Sequence, residues 1–333
     1  MSRSRLKLVL AFLAVYVIWG STYLGIRFAI ETLPPFLMAG VRFLLAGVIL
    51  YAWARRRGAP RPERVHWKVA AVLAVLLLIG GNGGVVWAEQ RVPSGLAALL
   101  IATEPFWIVM LDWLRPGGSR PGLAVVVGLL FGFVGVALLV SPFDLAGGGA
   151  VDPLGAAVVI LASVSWAVGS LWTARGARLP KSPMLTTGME MLIGGALFMV
   201  IGTAAGEWSG VSLSSMSLKS VLALLYLVLF GAIVAFTAYV YLLQHTTPSK
   251  ASTYAYVNPV IAVFLGWAFA GEELSGRVAL AALAIVSAVV MITRFHAAPK
   301  PAPDRSGTPE RDQTEGVERS GAVPPRAVVR DRT

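Results

Sequence analysis

Residues 94–113 read SGLAALLIATEPFWIVMLDW, and residues 249–270 read SKASTYAYVNPVIAVFLGWAFA. Each is a run of about 20 mostly apolar residues, enough for a helix rising ~1.5 Å per residue to cross a hydrocarbon core ~30 Å thick. Each also holds a polar residue followed by proline at mid-length, Glu104-Pro105 in one and Asn258-Pro259 in the other. Valine, leucine and tryptophan follow at the same spacing, as Val109, Leu111 and Trp113 and as Val263, Leu265 and Trp267. The two stretches are therefore copies of one pattern.

Working outward, ten such stretches fill the chain, near 6–28, 36–54, 68–88, 94–113, 121–140, 153–172, 184–205, 219–243, 249–270 and 276–296. The composition agrees: 56% hydrophobic, 14% charged, mean hydropathy +0.73. That balance excludes an ordinary soluble globule. A membrane β-barrel would show short alternating segments, whereas Val69–Ile79 and Leu123–Val140 are continuous apolar runs. Backbone groups in lipid must bond within their own segment, so an all-α polytopic membrane protein of ten helices is predicted. Cysteine is absent, which removes thiol catalysis, disulfides and cysteine-held metal.

The repeat is general. Pro35, Gly40, Arg42, Leu44 and Gly47 of the second stretch match Pro183, Gly188, Glu190, Leu192 and Gly195 of the seventh. Pro93-Ser94 and Pro248-Ser249 open the fourth and ninth, and Trp19 of the first answers Trp166 of the sixth. The expected organisation is a five-helix repeat over 6–140, a second over 153–296, and a proline-rich, charged tail over 297–333 too poor in apolar residues to offset its ordering entropy. Five is odd, so the second copy enters the membrane inverted, the plan of many secondary transporters.

The formal charge of +11 does not indicate a nucleic-acid partner. With the first end inside, the inner segments carry clusters such as Arg55, Arg56, Arg57, Arg61 and Arg64, while the outer ones carry Arg91, Lys219 and Arg277. This positive-inside pattern puts both termini in the cytoplasm and basic groups against anionic lipid. The first stretch, basic and then long and apolar, is expected to be an uncleaved helix and not a signal peptide.

Several motifs together resemble one family. They are Trp19-Gly20-Ser21-Thr22, Pro34-Pro35 with Ala39-Gly40-Val41-Arg42-Phe43, Gly81-Asn82-Gly83, Pro93-Ser94-Gly95, Ser252 through Pro259, and Gly271-Glu272-Glu273. The chain resembles the drug/metabolite transporter superfamily, EamA type, bacterial inner-membrane branch. The resemblance implies two EamA repeats, export of amino acids, other metabolites or toxic compounds, and a central cavity lined by the first, third, fourth, sixth, eighth and ninth helices.

The polar and aromatic residues on these helices are the candidate site. Glu104 lies ~15 Å along its helix, near the midplane, with Asn258 at matching depth from the other face. Pro105 and Pro259 each remove an internal N–H and free a carbonyl one turn back. A carboxyl at that depth is protonated, paired or facing water, which makes Glu104 the candidate coupling group. Trp19, Asn82, Trp87, Trp166, Tyr239, Tyr254 and Tyr256 complete the expected cargo path, suited to flat or cationic compounds. Arg42 is expected to snorkel, to pair with Glu31 or to serve the cavity, Glu190 to bond a Ser, Thr or Trp of another helix, and Glu89 to be a solvated or gating carboxylate. Gly80 to Gly84 make a stretch expected to bend, and Gly128, Gly132 and Gly135 a close-packing or dimer face.

No protease, hydrolase or nucleotide-binding motif is present, and His66, His245 and His296 make no metal set by spacing. No cofactor is expected. The partners expected are a small-molecule substrate and the lipid bilayer, with monomer or homodimer left open. A secondary transporter is the reading; a channel without ion coupling and a membrane-embedded enzyme stay as alternatives, although no ring of like charge or filter repeat favours a channel.

Overall fold

The computed structural model describes residues 3–116, 118, 120–140, 151–174, 177–212, 214–245 and 254–295. The expected tail over 297–333, most of the loop over 141–152 and the start of the ninth helix at 248–253 lie outside the described residues. Among those described there is no strand. Ten helical stretches follow one another: α1 Arg5–Ala29, α2 Pro35–Arg56, α3 Arg64–Ala88, α4 Ser94–Leu114, α5 Leu123–Val140, α6 Pro153–Ala174, α7 Pro183–Ala204, α8 from Leu218 to His245, α9 Tyr254–Ala270 and α10 Gly276–Phe295. Seven are long and apolar enough to cross a membrane, and α5, α9 and α10 are shorter apolar helices. The protein is an all-α, multi-pass membrane protein.

Equivalent helices pair with each other, and glycine decides how closely. A Cβ on Gly195 would lie 2.6 Å from the Leu44 nitrogen and 3.1 Å from the Gly40 carbonyl oxygen. One on Gly47 would lie 2.7 Å from the Leu192 nitrogen and 3.1 Å from the Gly188 oxygen. Gly40 thus faces Gly195 while Gly47 faces Gly188, so α2 and α7 run antiparallel. The α5–α10 pair does the same, with Gly128 beside Ala288 and Gly135 beside Ala281. Antiparallel packing of equivalent helices is what an inverted duplication requires. Gly132 meets the Phe106 ring, so these three glycines of α5 serve contacts inside the bundle.

Three helices contain wide π-type turns, Val15–Trp19 in α1, Ala74–Gly83 in α3 and Leu227–Val234 in α8. The last two fall at similar places in the third helix of each half. The Gly80–Gly84 stretch stays helical in this widened form. Its glycines admit Ser165, Trp166, Phe198 and Ala162 from α6 and α7. Such turns recur at functional sites.

At the end of the bundle predicted to be outer, the halves are joined by polar contacts. Pro34 and Pro93 occupy the N-cap positions of α2 and α4, where a proline has no side-chain acceptor for the first free N–H groups. Glu207 accepts instead from the Phe36 and Leu37 nitrogens at 3.1 and 2.8 Å. Glu272 accepts from the Ser94 nitrogen and hydroxyl at 2.6 and 2.7 Å and from the Gly95 nitrogen at 2.9 Å. Each glutamate directly follows a left-handed glycine, Gly206 (φ 72°) or Gly271 (φ 66°), that turns the chain past α7 or α9. Asp152 caps α6, and donation from the Gly155 N–H holds its carboxyl below the usual range; Arg91 reaches it at 3.4 Å. Lys219 meets Glu31 at 2.6 Å, and the Ser220 hydroxyl donates to the Phe28 carbonyl at 2.7 Å.

Gly195→Ala is expected to lower the melting temperature by forcing α2 and α7 apart, an overpacking cost of about 1–3 kcal/mol. Gly276→Ala, where nothing lies within 4 Å of the added carbon, serves as the control. Equal melting temperatures for the two variants in detergent would dismiss the close-approach argument.

Candidate functional site

The proline of α4 sets the local geometry. Pro105 has no N–H for the Ile101 carbonyl, and the helix is interrupted at Ala102–Thr103 between Ser94–Ile101 and Glu104–Leu114. The 94–113 run is therefore two helical pieces and not the continuous helix expected. The Ser163 hydroxyl of α6 donates to the Ile101 carbonyl at 3.3 Å and stands 3.4 Å from the Thr103 hydroxyl. The Thr103 hydroxyl in turn donates to the Leu100 carbonyl at 2.6 Å and accepts from the Trp107 indole at 3.1 Å. Freed backbone polarity is thus satisfied by protein, as lipid demands. Glu104 comes directly after this break, half-buried, and accepts from the Ser170 hydroxyl of α6 at 3.4 Å.

A group of aromatic rings joins α1, α8 and α9. Trp19 leaves the wide turn of α1, and its indole donates to the Gly231 carbonyl within the wide turn of α8 at 3.2 Å. Its ring lies 5.1 Å from Tyr239 of α8 and 5.0 Å from Tyr254 of α9, and those two tyrosines meet edge to face at 5.7 Å. Tyr239, Tyr254 and Tyr23 all stand close enough to Glu104 to feel its charge. Asn258 is buried, and its amide donates to the carbonyls of Tyr16 and Tyr254 at 3.2 Å each, tying α9 to α1. Unlike Pro105, Pro259 sits inside an unbroken α9.

Of the residues selected from sequence, Trp19, Tyr239 and Tyr254 are in ring contact, Asn258 faces the Tyr254 carbonyl, and Glu104 lies within electrostatic reach of the two tyrosines. Others are not part of this group. Asn82 and Trp166 stand at the α3–α6 seam; the Asn82 amide donates to the Leu77 carbonyl at 3.4 Å, and a Cβ on Gly81 would come within 2.6 Å of the Trp166 ring. Trp87 lies under the Arg91 guanidinium, 4.8 Å away. The Tyr256 side chain is outside the described residues. Glu31 pairs with Lys219, so Arg42 does not pair with it. Nor does Arg42 snorkel: it is 6% exposed, with its guanidinium 4.9 Å from the Phe43 ring and its Nε without a partner. Among the described residues Glu190, half-buried, has no hydrogen bond to a Ser, Thr or Trp. Glu89, read as a solvated or gating carboxylate, is fully buried, which removes the solvated reading. Sequence reasoning missed Tyr23, although it stands one helical turn from Trp19 on the same face. It also missed that the glutamates after Gly206 and Gly271 cap helices of the other half.

The halves are alike in sequence, equivalent helices pack antiparallel, and polar and aromatic groups of both converge between them. The EamA-like transporter family model matches the chain twice, over residues 6–141 and 153–294. The chain belongs to the EamA-like transporter family. It is 42% identical over 293 residues to the uncharacterized inner membrane transporter YedA of Escherichia coli K12, covering 87% of this chain and 92% of that protein. It is 26% identical over 303 residues to the uncharacterized transporter YvbV of Bacillus subtilis, covering 90% and 95%. With protein PecM of Dickeya dadantii the identity is 27% over 285 residues, covering 83% and 88%. A solved crystal structure shares the fold, with a TM-score of 0.57 at 22% identity over 89% of this chain and 100% of the other. Membership makes the chain a membrane transporter; the roles of individual residues rest on the EamA-like geometry described above.

Ser163→Ala leaves the Ile101 carbonyl unpaired and is expected to cost about 1–3 kcal/mol. In a Pro105→Ala background a backbone N–H returns to that carbonyl, so the same substitution costs less. A double-mutant cycle on melting temperature reads the coupling; strictly additive effects would show that Ser163 does not serve the proline break.

Proposed function

We propose that this EamA-like protein is a secondary-active transporter of the bacterial inner membrane. It exports amphipathic, cation-bearing small molecules, such as amino acids, related metabolites or toxic compounds, by alternating access coupled to protons. The observation that carries the reading is the cluster of Trp19, Tyr239 and Tyr254 rings, drawn from helices α1, α8 and α9 of both halves, with Glu104 of α4 within electrostatic reach of the two tyrosines. Aromatic faces attract ammonium groups, and a carboxylate completes the attraction or, when protonated, releases it. A site shared by two inverted five-helix halves, residues 6–140 and 153–296, is reached from either side as they rock. The name of the YedA relative supports the membrane, and the charge pattern supports cytoplasmic termini.

Two experiments test this. Reporter fusions after residues 60 and 300 should read cytoplasmic and one near 147 periplasmic; a cytoplasmic signal at 147 overturns the inverted topology. A thermal-shift screen against amino acids, nucleosides and cationic drugs supplies a cargo for proteoliposomes. With that cargo, Glu104→Gln should abolish transport driven by a pH gradient and spare exchange without net proton movement. Intact gradient-driven transport would reduce Glu104 to a structural hydrogen bond, and loss of both modes would make it a cargo-binding group. Trp19→Ala should weaken cargo binding by about 1–2 kcal/mol through the lost ring contact. Trp166→Ala, whose ring packs on Gly81, should lower thermal stability more than affinity.

A further inference from the structure

Glu89 follows the last turn of α3. It is 0% exposed, and neither oxygen of its carboxyl has a hydrogen-bond partner. An unpaired carboxylate is among the most expensive groups to bury, and the neutral acid is far cheaper.

The charges around it do not neutralise it. Within electrostatic reach of it are Arg27 and Tyr23 of α1, Arg42 of α2 and Glu272 of the turn before α10. α6 packs on the same end of α3 and brings no titratable residue. Arg27 spends a guanidinium nitrogen on the backbone carbonyl of Glu89 itself, at 2.8 Å. Arg42 lies over Phe43. Glu272 is bonded to Ser94 and Gly95, and its like charge disfavours a second carboxylate nearby. Neither of the two cations within electrostatic reach is therefore hydrogen-bonded to the Glu89 carboxyl.

The residues directly after Glu89, from Gln90 to Pro93, line a cavity of about 420 Å³ together with Arg27, Glu272 and Arg277 among others, at the predicted outer end of the bundle. Arg27 links the two features, lining the cavity while holding the Glu89 carbonyl. We propose that Glu89 is a proton-binding site at this end of the bundle, separate from Glu104, loaded through that cavity. Loss of the proton leaves a carboxylate that competes for the Arg27 guanidinium against the Glu89 carbonyl. Occupancy thereby sets which oxygen of Glu89, backbone or side chain, holds Arg27 at the end of α3.

The proposal extends the proton-coupled reading to a second carboxyl. Its test reads protonation and not flux, so either can fail without the other. Infrared difference spectra of the full chain in lipid vesicles at neutral pH, taken in a Glu104→Gln background, should show the carbonyl-stretch band of a protonated carboxylic acid. Adding Glu89→Gln should remove that band, and adding Glu89→Asp should shift it. An unchanged band with Glu89→Gln, or no such band before it is introduced, overturns the proposal. Should Glu89→Gln not reach the membrane, Glu89→Asp decides alone, an unshifted band again overturning it.

Discussion

The structure depends on one constraint: in lipid, a backbone donor or acceptor has no water to turn to. Wherever the chain departs from a regular helix, a partner must come from elsewhere in the protein. Pro34 and Pro93 start α2 and α4 without side-chain caps, and Glu207 and Glu272 cross from the second half to supply them. Pro105 frees the Ile101 carbonyl, and Ser163 takes it. Charge-assisted bonds to helix N-termini are the stronger kind, and the helix dipole adds to them. The same contacts that satisfy backbone groups are the ones that join the halves.

Duplication supplies the framework, and broken equivalence supplies the chemistry. α2 and α7 approach through matched glycines, as do α5 and α10 through small residues, so the backbone is close to symmetric there. The polar positions are not. Glu104 answers Asn258, and Arg42 answers Glu190. Pro105 interrupts its helix while Pro259 does not; Thr103 and Ser163 bond the open turn at the first, and the Asn258 amide faces the Tyr16 and Tyr254 carbonyls beside the second. One half thus presents a titratable group at a break, and the other a neutral anchor in a continuous helix.

The apolar helices and the doubled family pattern were legible because they rest on hydropathy and spacing. What sequence hid were long-range choices among similar residues. Glu31 could have met Arg42 or Lys219, and only the packing of α1 against α8 decides for Lys219. Glu89 stands at a helix end, a place that reads as wet; burial comes from the elements folded over it, and nothing local announces that. Gly80 to Gly84 read as a hinge because glycine is flexible, yet there the missing side chains admit Ser165, Trp166 and Phe198. Composition tells that small residues are needed and is silent on what fills the space.

The contacts at the predicted outer end differ in strength, and this bears on how a carrier of this form moves. Lys219–Glu31 and Arg91–Asp152 are exposed enough that such pairs are typically worth about 0–1 kcal/mol. The glutamate caps stand higher, because withdrawing either leaves backbone N–H groups of α2 or α4 without partners. Opening this end requires those N–H groups to find water or new acceptors as the carboxylates leave. Water that enters between the halves serves both needs at once, solvating the helix starts and the released carboxylates. The end is thus closed by interactions that the bilayer would make prohibitive to break but an aqueous vestibule makes exchangeable. For the alternating access proposed above, a closure of that kind serves better than an apolar seal, since the water that follows the opening lowers the cost of opening further.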